Sequence, residues 1–116
     1  MTEQMNNDII GKVLNVSEKL GPGRSIGFVM AKLMEEYGEF GAEINIALGN
    51  MDPAKGGDDG IIGEACDVIN CVVDLVYLIE KFKNPMFTKE QLFDMMQQRQ
   101  EQKCEKWVRL ANVKKE

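Results

Sequence analysis

The chain has 116 residues, enough for one ordinary domain over 1–116, and its 44% hydrophobic content is sufficient for a globular core. Nineteen acidic residues against 14 basic give a formal net charge of −5, which disfavours non-specific binding to the phosphate backbone of nucleic acid. Histidine is absent, which removes Ser-His-Asp and Cys-His nucleophile systems, histidine general bases and imidazole-ligated metal sites.

A first helix is expected from about Asn6 to Leu20, with Ile9, Ile10, Val13, Leu14 and Val16 as its apolar stripe, ended by Gly21-Pro22-Gly23. Ser25 is placed to cap a second helix reaching about Leu48. Its apolar positions Ile26, Val29, Met30, Leu33, Tyr37, Phe40, Ile44 and Ala47 step by threes and fours, and Gly49 reads as its C-terminal cap.

Residues 50–60 form a loop rich in Gly, Pro and Asp, at whose end Asp58 or Asp59 can cap a third helix running to about Lys83. Ala65, Val68, Ile69, Val72, Leu75, Val76 and Ile79 make this the most buried helix expected, and Asn84-Pro85 stops it. Asp67, Asn70 and Asp74 interrupt its apolar run, so no bilayer span is expected.

A fourth helix opens on the capping box Thr88-Lys89-Glu90-Gln91, carries Leu92, Met95, Met96, Trp107 and Leu110, and frays into Lys114-Lys115-Glu116. No strand-like alternation competes with these periods. The expectation is an all-α, four-helix bundle-like domain with two long central helices.

Cys66, Cys71 and Cys104 are odd in number and lack C-x-x-C spacing, as reduced thiols of a cytoplasmic protein would. The polar start, with Glu3, Asn6, Asn7 and Asp8, lacks the basic-then-apolar layout of a secretory leader.

Chemistry concentrates on the two central helices. Residues three apart share a helix face, so Glu36 and Glu39 are neighbours and Glu43 continues their row, while Glu64 and Asp67 stand in the same relation on the next helix. Asp74 lies two turns beyond Asp67, and Asn70 faces close to the same side. Carboxylates gathered from two antiparallel helices repel, and Lys32 is the only basic residue in the core of the second helix. A divalent cation compensates most simply, and all-oxygen ligands suit Mg²⁺ or Mn²⁺. A solvated face remains the alternative for Glu35, Glu36, Glu39 and Glu43. Residues 52–63 are not a calcium loop: Ala54 stands at its third position and Gly63 at its twelfth. A P-loop string and the histidines of a ferritin-like di-iron centre are missing as well.

The string Glu35-Glu36-x-x-Glu39, followed after 24 residues by Glu64-x-x-Asp67, resembles the signature of the MazG-like all-α nucleotide pyrophosphohydrolases, a superfamily that includes dimeric dUTPases and dCTP-hydrolysing enzymes. The resemblance covers roughly Ser25 to Ile79. It implies that Glu36, Glu39, Glu64 and Asp67 hold Mg²⁺, with Mn²⁺ able to substitute. It further implies that Glu35 and Glu39 act in catalysis, with Glu35 positioning water or a further ion. The implied reaction converts a nucleoside triphosphate to the monophosphate and pyrophosphate in nucleotide-pool housecleaning, here in the cytoplasm, or the host cytoplasm if the chain is phage-encoded.

The resemblance also implies a homodimer or homotetramer, which Gly38 and Gly41 suit by permitting close helix contact. Basic residues near the end of the fold would face the phosphates; Lys103, Lys106 and Arg109 around Trp107 are placed for this, the alternative being a solvated face with Trp107 in the core. Arg24, Lys32 and Lys55 are further cationic candidates. Asn70 is a candidate for base or sugar recognition. Two other readings stand beside this one: a non-catalytic helical interaction or nucleotide-binding module, and hydrolysis of an alarmone such as ppGpp at the same site.

Overall fold

The computed structural model describes residues 2–115, with side-chain burial assigned for 3–112. Among the described residues all regular structure is helical: α1 (Thr2–Asn7), α2 (Ile9–Leu20), α3 (Ile26–Ala47), α4 (Gly60–Lys83) and α5 (Lys89–Lys115), with a 3₁₀ turn at Pro53–Lys55. The expected all-α fold with two long central helices is present, those two being α3 and α4. The expected first helix is split. Asp8 adopts extended geometry (φ −101°, ψ 140°) and its side chain accepts from the amides of Ile10 and Gly11, so it starts α2 instead of continuing α1. The short α1 folds back, and Met5 is buried. Gly11 makes this possible, because a Cβ there would collide with the Met5 backbone.

The remaining punctuation follows local chemistry. Ser25 accepts from the Phe28 amide at 3.1 Å and caps α3. Gly49, in the left-handed region at φ 78°, ends it while the Asn50 amide reaches back to Asn45. Thr88 and Gln91 close a reciprocal capping box, each amide donating to the other's side chain at 2.8 and 3.1 Å. Asp59 holds the N-cap position of α4 but makes no capping bond; the chain enters the helix through Gly60 at φ 70° instead. Helix α5 continues to Lys115 without the expected frayed tail; Glu116 lies outside the described residues.

The core gathers Met5 from α1, Leu14 from α2, Val29 from α3, Val73, Tyr77 and Leu78 from α4, and Leu92 and Phe93 from α5. Helix α4 is its centre, but the buried face is turned from the one the apolar spacing selects. Ile69, Val72 and Ile79 are exposed. The reason is that α4 is apolar over most of its circumference, so neighbouring helices choose its buried side. Helix α3 packs chiefly on α4, leaving Met30 and Tyr37 in solvent, and Val16 on α2 is exposed too.

Trp107 is 76% exposed, not in the core. The cause lies in α5, whose first turns pack on α2 while residues 101–112 are exposed throughout. The radius of gyration, 16.9 Å, exceeds the value of about 13 Å expected for a compact chain of this length.

A Gly11→Ala substitution tests the α1–α2 contact. The backbone collision should outweigh alanine's helix preference and lower stability by about 1–3 kcal/mol, read from denaturant unfolding. Unchanged stability would mean that α1 is not held against Gly11.

Candidate metal centre

Antiparallel packing of α3 on α4 aligns Arg24 with Asp74 at one end and Glu39 with Glu64 at the other. Between these ends, ligand atoms of Glu36, Glu64 and Asp67 lie within 4.8 Å of one another. Glu36 and Glu64 are 6% and 7% exposed, and Asp67 is half-buried. Glu36 Oε2 and Glu64 Oε2 are buried with no hydrogen-bond partner. A buried carboxylate oxygen without a donor loses the hydration that made it stable in water.

The other oxygens are incompletely neutralised. Lys32 Nζ lies 3.3 Å from Glu36 Oε1 and 3.8 Å from Glu35 Oε1, so one lysine serves two carboxylates. Burial first, then the charges of Glu39, Asp67 and Glu36 and a hydrogen bond with Glu39, push the Glu64 carboxyl up to about 7. Helix position explains the crowding. Glu36 and Glu39 share one face of α3, and Glu64 and Asp67 share one face of α4.

The loop 52–57 closes the outer end of the row. Asp52 caps the 3₁₀ turn through the Ala54 amide at 3.0 Å, and the Gly57 amide then donates to Glu43 Oε1 at 2.8 Å. A polar cleft of ≈ 290 Å³ follows, lined by Glu39, Glu43, Lys55, Gly56, Gly57 and Glu64 among others. A Cβ on Gly56 would come within 2.9 Å of Glu43 Oε1, so glycine lets the loop approach without that side chain having to shift. The overlooked signal is a glycine pair directly after an Asp-Pro turn, between the ends of two acidic helices.

Of the four ligands that the family resemblance implies, Glu36, Glu64 and Asp67 are mutually within reach of one ion, and Glu39 lines the adjoining cleft with Glu64. Glu35 is exposed beside Lys32. Asn70 is exposed and borders a different cleft, of ≈ 300 Å³ between α2 and α4, with Lys12, Val13, Val16, Ser17 and Asp74. Lys103, Lys106 and Arg109 stand on the unpacked half of α5, and none is ion-paired to another described residue. Gly38 and Gly41 border open space, so they serve no helix contact within the chain.

Asp74, seen from sequence as a continuation of the acidic row, is separate from it. The guanidinium of Arg24 grips both its oxygens at 2.8 and 2.7 Å, and Ser17 Oγ donates to it at 2.6 Å. Burial pushes the Asp74 carboxyl up, but the bonds from Arg24 and Ser17 outweigh burial and hold it below the ordinary value. Cys71, between the two groups, has its thiol pushed up chiefly by burial, and it forms no disulfide.

No family model, curated protein or solved structure matches this chain. No helix among the described residues is long and apolar enough to cross a membrane.

Two expectations follow. Between pH 4.5 and about 7 the native metal-free protein retains a proton on Glu64 that the unfolded chain has released. Stability should therefore fall as pH rises through that window. Glu64→Gln should flatten this dependence and raise the melting temperature at pH 7.5, and saturating Mg²⁺ should do the same for the unsubstituted chain. Asp74 acts in the opposite sense, its contribution being present above pH 3.8 and lost on further acidification. Arg24→Ala should lower stability by about 1–3 kcal/mol at neutral pH, because Asp74 then remains half-buried with Ser17 alone.

Proposed function

We propose that the chain is a Mg²⁺-dependent nucleoside triphosphate pyrophosphohydrolase, releasing a nucleoside monophosphate and pyrophosphate, with Mn²⁺ able to replace Mg²⁺. The observation that carries this reading is a buried, partnerless oxygen on each of Glu36 and Glu64, two carboxylates that bring ligand atoms within 4.8 Å of each other and of Asp67. Hard oxygen donors without histidine or thiolate suit Mg²⁺. The charge count agrees: with Lys32 the only cation paired to the row among the described residues, a divalent ion removes repulsion that these side chains leave in place.

The chain's residues divide the work. Glu36, Glu64 and Asp67 would hold the ion, with Glu39 completing the set from the cleft side. Once bound, the ion neutralises phosphate charge and lowers the pKa of water. Glu35, exposed beside Lys32, would orient water, and Lys32 would offer its ammonium to a phosphate oxygen. The Gly57 amide pins Glu43 and so keeps the loop over the ligand row. Two features lend nothing to the finer reading. The Lys103, Lys106 and Arg109 side chains are not brought to the row by this chain's own fold, and no base-specific contact distinguishes one nucleotide from another.

The test is a panel of ribo- and deoxyribonucleoside triphosphates and ppGpp with Mg²⁺, separating monophosphate plus pyrophosphate from diphosphate plus phosphate. Glu64→Gln and Asp67→Asn should each lower kcat at least about a hundredfold, while Glu80→Gln, outside the row, should not. Folded, metal-binding protein that hydrolyses nothing on the panel would leave only the non-catalytic module.

A further inference from the structure

The face of α5 that builds the core does not end where the core ends. At about 3.6 residues per turn, Leu92 and Met96 in the body share one side of the helix with Arg99, Lys103, Lys106, Trp107 and Leu110 beyond it. The acidic residues of α5, Glu90, Asp94, Glu101 and Glu105, all fall on the other side. Residues 101–112 are exposed along their whole length, with Trp107 at 76%. Arg99, Lys103 and Lys106 form no ion pair with another described residue.

Within the body the same face borders an apolar groove of ≈ 450 Å³ between α4 and α5, whose lining includes Ile69, Val72, Met95 and Met96. Ile69, Val72 and Met95 are exposed there, and Arg99 is the one charged residue of the lining. The surface therefore has two parts: an apolar trough, and a basic stretch of helix running on from it. An occupant that fits both carries apolar side chains at one end and carboxylates at the other. A trough between two helices receives a third helix, and methionine adapts to varied apolar side chains. Nucleic acid would set phosphates against an apolar wall, on a chain whose net charge of −5 repels them. A second copy presenting this same face would bring Arg99, Lys103 and Lys106 against like charges.

We propose that the α4–α5 groove and the adjoining face of the α5 arm bind an acidic amphipathic helix of a different protein. Apolar residues of that helix, spaced i, i+3, i+4 and i+7, fill the trough, and its Asp and Glu side chains meet Arg99, Lys103 and Lys106. Trp107 and Leu110 are covered by the same partner. The inference does not depend on the metal centre or on any activity.

Trp107 is the only tryptophan, so its fluorescence reports on the arm directly. A phage-displayed library of helix-forming peptides, selected on the full chain, should converge on an apolar stripe of that spacing followed by Asp or Glu. The best selected peptide, once synthesised, should shift tryptophan emission to the blue, and should bind at least about tenfold more weakly when its acids are replaced by Lys. Val72→Glu in the trough, and Lys103→Glu combined with Lys106→Glu on the arm, change positions exposed in the single chain and should leave helical content unchanged. Each should weaken the peptide at least about tenfold, whereas Glu105→Gln on the opposite side of α5 should not. Should Val72→Glu fail to fold, the arm variant decides. Selection without enrichment of acidic residues overturns the inference, and so does peptide binding that survives both variants. A larger blue shift with oligo-dT or with phosphatidylglycerol vesicles than with any selected peptide also overturns it. The same holds if Trp107 is already shielded from acrylamide by a second copy of the chain.

Discussion

Packing of α3 on α4 forces Glu36 and Glu64 into a space where neither can keep its water. Each is left with one oxygen that no donor reaches. Among the described residues no other side-chain oxygen or nitrogen is buried without a partner, and the surrounding architecture is what permits these two. Lys32 offsets part of it from the open side. The glycine loop closes the other side with an amide, a neutral donor that leaves the charge in place. The strain falls on proton affinity, and Glu64 holds its proton up to about pH 7.

Helix α4 also carries the counterexample. Asp74 is half-buried on the same helix, yet a bidentate guanidinium and a buried serine hydroxyl satisfy it and hold its carboxyl below the ordinary value. The Arg24–Asp74–Ser17 group ties α2, the following turn and α4 together and asks for nothing further. Glu36 and Glu64 differ from it in having empty valences rather than in being acidic or buried. That difference separates a structural ion pair from a place where a cation would be held, and residue type alone does not reveal it.

Apolar surface shows a similar imbalance. Helix α4 is the centre of the core, but α5 leaves the body after its first turns, and the groove between them stays open. A chain this small buries a modest share of its surface on folding. Here the shortfall is concentrated on one arm and one groove.

Helix boundaries were legible in the sequence wherever a short-range bond makes them. Ser25, Gly49 and the Thr88–Gln91 box act within a few residues and need no tertiary contact. The pairing of the two acidic motifs was legible too, since helical spacing sets which carboxylates share a face. Asp8 is the exception among the boundaries: its cap competes with an otherwise continuous helical pattern and prevails because Gly11 lets α1 fold back. What only the tertiary structure decided were properties that belong to two elements at once. It chose which side of the broadly apolar α4 is buried, removed Asp74 from the acidic row by handing it Arg24, and left Trp107 in solvent. It also left one oxygen of Glu36 and one of Glu64 buried without a partner, because a missing hydrogen-bond donor depends on everything around an atom and no spacing along one chain records it.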